Sequence, residues 1–272
     1  MKEMGTVLFS GKKSKKLILL GLIGIILLGA VLYSNILHAP FVFDDHSSIK
    51  ENDSIRSIAK SLKNISSNRY LTSLSFAFNY AACGLKPFGY HLINNLIHVI
   101  NALLVYYLVI LTFRTPYFSN QQSAVSDSPI RPFAHSPLFI AFFSAFIFIA
   151  HPIQTQAVTY IAQRAASMAA MFYLLSLVMY IKWRLRMQDA RCRMQDAGYK
   201  TQDITPLNPP LPRGEVKEGI MHRSSWSLYL CSLLFAFFAM KTKEIAFTLP
   251  VVIALYEFSF FNKTAASQYA TS

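Results

Sequence analysis

From Leu17 to Leu37 the chain runs for 21 residues without a charged side chain. At about 1.5 Å of rise per residue, roughly 20 apolar residues cross the hydrocarbon core of a bilayer as a helix. Lys12, Lys13, Lys15 and Lys16 stand just before the run. A cleaved signal peptide has a shorter apolar stretch and a small-x-small site, which His38-Ala39-Pro40 does not supply, so a retained anchor is the better reading.

The same pattern recurs along the chain. Apolar runs cover Pro87 to Phe113, Pro137 to Ile153, Ile161 to Ile181, Ser225 to Met240 and Ile245 to Phe261. Six candidate spans, 53% hydrophobic residues and a mean hydropathy of +0.35 exclude an ordinary soluble domain and indicate an all-α polytopic membrane protein. The formal net charge of +13 does not indicate nucleic acid, because Lys and Arg gather in loops between apolar runs and form no basic helix face. Placing the N-terminus in the cytoplasm puts 17 of the 26 Lys and Arg residues on the cytoplasmic side, as the positive-inside rule asks. This topology predicts a multi-pass protein of the cell membrane, in a bacterium the inner membrane. Cys83, Cys192 and Cys231 have neither disulfide nor zinc spacing and read as ordinary apolar residues.

The domain reading follows. Residues 1–16 form a basic cytoplasmic N-terminus, 17–181 the first part of a membrane core with an outer loop at 38–86, 225–261 its last two spans and 262–272 a tail. Residues 182–224, with MQDA at Met187 and again at Met194 and the Pro-rich TPLNPPLPRGE from Thr205 to Glu215, read as a disordered cytoplasmic insertion.

In this topology the loop 38–86, the turn from His151 to Arg164 and Lys241 to Glu244 share the outer side, and the polar chemistry converges there. Phe43-Asp44-Asp45-His46 places two carboxylates at the mouth of the first span. In an extended segment neighbouring side chains point oppositely, so one carboxylate would face a cavity as a base while the other binds backbone or a cation. Arg69 and Arg164, each at an outer boundary, and Lys243 are candidate phosphate contacts, the guanidinium being suited to bidentate phosphate binding. Ile55, Ile58 and Leu62 predict a short amphipathic helix on the membrane surface. In the second span His91, Asn94, Asn95, His98 and Asn101 recur every three or four residues and form one polar face. Such a face is costly against lipid, so it meets either other helices or substrate, with His91 nearest the outer surface. His151 and Glu244 are supporting candidates. The Asp-Asp pair leaves a divalent cation open as an option.

Five stretches carry a resemblance: FVFDDHSSI at 41–49, LSFAFNYAACGLKPFGYHLINNLIHVINALLVY at 74–106, HPIQTQAVTYIAQR at 151–164, FYLLSL at 172–177 and KTKEIAFTLP at 241–250. Together they resemble the N-terminal portion of the transmembrane and tetratricopeptide-repeat O-mannosyltransferases and their bacterial relatives, within the GT-C glycosyltransferases. The chain departs from that pattern at Gln156, where relatives often carry Glu, and at Thr242. The resemblance implies a membrane enzyme that moves a sugar, mannose or another hexose, from a polyprenyl-phosphate donor to a protein or glycan hydroxyl outside the cytoplasm. It also implies that an aspartate of the first loop, Asp44 or Asp45, is the catalytic base. The alternative from another class is a non-catalytic truncated membrane module that needs a separate C-terminal part. A transporter ranks below both, since no inverted halves are visible.

Overall fold

The computed structural model describes residues 12–63, 69–119, 137–196 and 218–262. Every regular element among them is helical. The helices are α1 (Lys12–Leu32), α2 (Ile58–Lys63), α3 (Tyr70–Cys83), α4 (Pro87–Thr112), α5 (Pro137–Ala150), α6 (Thr155–Thr159), α7 (Arg164–Asp196), α8 (Glu218–Met240) and α9 (Leu249–Phe260).

Two helices are long and apolar enough to cross a bilayer, Pro87–Thr112 and Ile161–Ala190. There are three if Pro137–Ala150 and Pro152–Thr159, bent by 51° at the break between them, count as one span. The apolar helices Lys16–Leu32 and Trp226–Met240 are shorter. The surface is that of a membrane protein, because Leu19, Leu27, Val31, Phe143, Leu230, Val251 and Leu255 all point outward. The contacts between helices use small buried residues instead, among them Ala102, Ala141, Ala145 and Ala239. Gly29 shows why: a Cβ there would lie 2.6 Å from Val99 Cγ2 and 2.7 Å from Ile149 Cδ1, so only glycine lets α1 approach α4 and α5 this closely.

Central α4 packs against α5 and α7, while α8 lies along α7. Its start is set by Pro87 in the first turn, where a missing N–H costs nothing. Gly84, at φ 61°, ends α3 and gives its N–H to the Tyr80 carbonyl. Ile25, Ala102, Tyr106, Ile110, Ala141, Ala145 and Ile149 form the core where α1, α4 and α5 meet. A second core of Phe41, Ile49, Ile55, Phe76, Tyr90 and Ile161 lies under the first loop.

The helix ends follow the apolar runs closely for α4, whereas three features differ from the sequence reading. The expected insertion at 182–224 is helical at both ends, since α7 continues to Asp196 and α8 begins at Glu218; its middle, 197–217, lies outside the described residues. The loop helix around Ile55 to Leu62 is two pieces, a 3-10 turn at Asp53–Arg56 and then α2. Ile55 is buried and Leu62 exposed, because Ser61 turns inward to give its hydroxyl to the Ser54 carbonyl. Within the loop 38–86, α3 is an additional helix that the span pattern did not announce.

Candidate active site

The loop after α1 is folded back on itself by hydrogen bonds to backbone. Asp45 is wholly buried, with Oδ2 accepting from the Val42 amide at 3.1 Å and Oδ1 from the Ala162 amide at 2.7 Å. His46 Nε2 meets the Phe41 carbonyl at 3.1 Å. The Asp44 amide donates to the Tyr160 hydroxyl at 3.0 Å, and the Asp44 side chain is exposed. Partial desolvation first, and then the Asp44 and Asp45 carboxylates, hold the Tyr160 hydroxyl above its ordinary value against the opposing effect of the Asp44 amide.

The two carboxylates are therefore placed differently, one tied to backbone and one open. The expected cause was an extended segment; the observed one is a turn. Asp45 is in the right-handed helical region, and the residue before the pair, Phe43, takes φ 46°. A positive φ is costly for a bulky side chain, of the order of 1 kcal/mol or more, and here it swings Asp45 back onto Val42. The Phe43 ring is 85% exposed and stands edge-on to Tyr160 at 6.5 Å.

Beside this loop lies a cavity of about 390 Å³. One helical stripe of α3 and its N-cap forms a wall, with Arg69, Thr72, Ser73 and Phe76 at the i, i+3, i+4, i+7 spacing of a single face. Ser48 and Asn52 line it from the first loop, Ala162 from the 3-10 turn Ile161–Gln163, Ala165 from the start of α7, and Glu244 from the turn after α8. Ser48 follows Asp44 by one helical turn, and Ala162 holds Asp45, so the carboxylate pair and the cavity are parts of one structure. Thr72 Oγ1 is buried and has no hydrogen-bond partner.

Arg164 lies elsewhere than the sequence suggested. It was expected at a phosphate, and it is fully buried. Its Nε donates to Asn94 Oδ1 at 2.7 Å, Nη1 to Asn79 Oδ1, and Nη2 to the Tyr90 carbonyl at 2.9 Å. The guanidinium carbon sits 4.5 Å from the Phe76 ring centre, a cation–π contact. A guanidinium held this way ties α3, α4 and α7 together and presents no face to a ligand.

The polar face of α4 turns inward along its length. Asn94 Nδ2 reaches the carbonyls of Val158, Tyr160 and Ile161 at 3.4–3.5 Å, His98 Nε2 the Ile149 carbonyl at 3.3 Å, and Asn101 Nδ2 the Ser167 carbonyl at 3.0 Å. The carbonyls of Ile149, Val158, Tyr160 and Ile161 lie at or beside the breaks that separate α5, α6 and α7, where the intrahelical ladder stops, whereas that of Ser167 lies in the first turn of α7. In an apolar surrounding such acceptors need partners, and α4 provides them. Of the two readings of this face, helix-to-helix hydrogen bonding is the one observed. His91 is likewise buried, its Nε2 3.2 Å from the Ala39 carbonyl, so it fastens the first loop to α4.

The remaining candidates are at the same end of the bundle. His151 is exposed, and its Nδ1 accepts from the Ile153 amide at 3.2 Å. Lys243 is half-buried with extended backbone, and its carbonyl accepts from the Ala246 amide at 3.2 Å. Among the described residues no three His, Cys, Asp or Glu side chains gather as a metal site would require. Sequence reasoning missed Thr72 and Asn79; the 69–72–73–76 spacing was the available signal for the first.

Comparison with known proteins agrees with the sequence resemblance. The chain is 32% identical over 169 residues to the protein O-mannosyl-transferase Tmtc3 of Drosophila melanogaster, covering 56% of this chain and 18% of that protein. It is 28% identical over 256 residues to tmtc2 of Xenopus laevis, covering 89% and 24% respectively. It is 29% identical over 206 residues to human TMTC2, covering 66% and 22%. No family model and no solved structure matches the chain. The chain spans 18–24% of the length of these relatives. It is a Tmtc-like membrane protein, related to the protein O-mannosyl-transferases.

Proposed function

We propose that the protein works as an inverting membrane glycosyltransferase of the GT-C kind, with about six spans and its site on the extracytoplasmic side. The donor is a polyprenyl-phosphate sugar and the acceptor a hydroxyl of a protein or glycan. Asp44 takes the proton of the acceptor hydroxyl as its oxygen attacks the anomeric carbon, and the lipid phosphate leaves. Arg69 stabilises the phosphate charge from the cavity wall, with Lys243 from the neighbouring turn. Asp45 holds the loop so that Asp44 faces outward, and His91 and Arg164 hold the helices against which that loop rests. The lipid tail remains in the bilayer throughout, so no nucleotide-binding loop is needed.

The observation that carries this reading is the unequal placement of the two carboxylates, with the open one a single turn from a polar cavity lined by an arginine. The names of the relatives weigh toward a transferase and away from a non-catalytic module.

The test is transfer of mannose from a mannosyl prenyl phosphate to a Ser/Thr peptide by membranes containing the protein. Asp44→Asn should lower transfer by roughly 10²–10⁴-fold at unchanged protein level. Undiminished transfer would remove Asp44 as the base. Sidedness is tested separately with Asp44→Cys and Lys243→Cys, which should both react with an impermeant thiol reagent added from outside the cytoplasm. Labelling from opposite faces would overturn the shared site.

A further inference from the structure

Tyr160 touches the residue assigned as the base, yet the proposed reaction gives it no task. Within the first loop three backbone donors are used locally. The Val42 amide goes to Asp45 Oδ2, the Asp45 amide to the Val42 carbonyl at 3.0 Å and the His46 amide to the Phe43 carbonyl at 3.1 Å. The Asp44 amide instead leaves the loop and is given to the Tyr160 hydroxyl at 3.0 Å, 116 residues further along the chain. The positive φ of Phe43, 46°, turns the peptide that follows it out of the path a right-handed turn would take.

Tyr160 is itself held at both main-chain polar groups. Its backbone is extended, φ −91° and ψ 110°, between α6 and the 3-10 turn Ile161–Gln163. Its amide donates to the Gln156 carbonyl at 3.2 Å, and its carbonyl accepts from the Gln163 amide at 3.1 Å and from Asn94 Nδ2 at 3.5 Å. The half-buried ring meets Phe43 edge-on, so the phenol oxygen is a fixed point on the α4 side of the site. A phenol oxygen that accepts from an amide still has its own proton to donate. The Asp44 carboxylate lies beside that hydroxyl. Tyr160 thus meets Asp44 at the main chain and flanks its side chain.

Resting on the glycosyltransferase reading, we infer that Tyr160 is a positioning residue for the base: its hydroxyl fixes the Asp44 main chain and restrains the carboxylate beside it, leaving one carboxylate oxygen turned to the incoming acceptor. In the transfer step the acceptor oxygen bonds to the anomeric carbon and its proton goes to Asp44. The bond between sugar and phosphate breaks, its electron pair leaving with the phosphate. Tyr160 keeps its proton throughout and acts only through Asp44. An exposed carboxylate without this hold samples several rotamers, and a misplacement of about 1 Å lowers a rate by the order of 10²-fold.

The experiment is a double-mutant cycle on the purified full chain in detergent, with mannosyl prenyl phosphate as donor and a Ser/Thr peptide as acceptor. Tyr160→Phe keeps the ring against Phe43 and removes only the hydroxyl. It should lower kcat roughly ten- to hundred-fold, with KM for donor and peptide within about two-fold of wild type. In the Asp44→Asn background the same substitution should lower kcat by less than about two-fold, because the group it positions is already disabled. Hydrogen exchange resolved to single amides gives a readout without turnover. The Asp44 amide should exchange roughly ten-fold faster in Tyr160→Phe, while those of Asp45 and His46, bonded inside the loop, stay as in wild type. Unchanged kcat with earlier melting would make Tyr160 a packing residue and overturn the role. Equal losses in both backgrounds, or unchanged exchange at Asp44, would overturn it as well. Each of these outcomes leaves the transferase reading standing as long as Asp44→Asn is impaired. Undiminished transfer by Asp44→Asn removes the base and the positioning role together.

Discussion

Two arginines at opposite ends of the helical bundle are held in opposite ways. Arg164, near the first loop, is fully buried and donates to Asn79, Asn94 and the Tyr90 carbonyl, all neutral acceptors, over the ring of Phe76. Arg184, further along the same helix, forms an ion pair with Glu257 of α9, whose carboxylate also accepts from the Tyr180 hydroxyl at 3.0 Å. The first arrangement surrounds the guanidinium with neutral acceptors, the buried Asp45 carboxylate being near but not bonded to it. The second places a carboxylate in direct contact. The difference separates a buried cation that fastens three helices through side-chain amides and a carbonyl from a partly exposed one held by a single ion pair that solvent screens.

The strongest way to break this comparison is Arg164→Met, which leaves several buried acceptors without donors. At about 1–3 kcal/mol for each lost partner, a destabilisation of roughly 4 kcal/mol is expected, read as loss of the monodisperse protein on heating in detergent. A smaller loss than for the Arg184 end would refute the contrast. Next comes Asp45→Asn, whose amide oxygen can replace only one of the two carboxylate acceptors. It should cost about 2 kcal/mol of stability, with faster proteolysis of the 41–46 loop, where Asp44→Asn leaves both unchanged. The smallest effect belongs to Glu257→Gln. The Arg184 and Glu257 side chains are 20% and 34% exposed, so solvent screens the pair and about 1 kcal/mol or less is expected, with no change in lipid binding.

Much of the architecture was legible because apolar runs and bilayer thickness leave few choices, and Pro87 to Phe113 became α4 within one residue. The restart at Ile161 followed the apolar runs. The break at His151-Pro152 falls inside the run drawn from Pro137 to Ile153, although the residue before proline avoids helical backbone. The carboxylate pair stood out from its place beside a span, yet its division between open and buried members follows from the turn at Phe43, which no pattern of residue types announces. Arg164 misled for a related reason: a guanidinium at a membrane boundary fits a phosphate equally well on paper, and only the three-dimensional convergence of Asn79, Asn94 and Tyr90 shows where its donors go.

The inward face of α4 has a consequence for how this protein tolerates change. The groups it answers at Ile149, Val158, Tyr160 and Ile161 are main-chain oxygens, present whatever side chain those positions carry. Asn94 and His98 enjoy no such freedom, because a leucine at either site would strand an oxygen in hydrocarbon. The hydrogen bonds across this contact therefore fix side-chain type only on the unbroken helix, while Ile149, Val158 and Ile161, wholly buried, are held to apolar residues by packing alone.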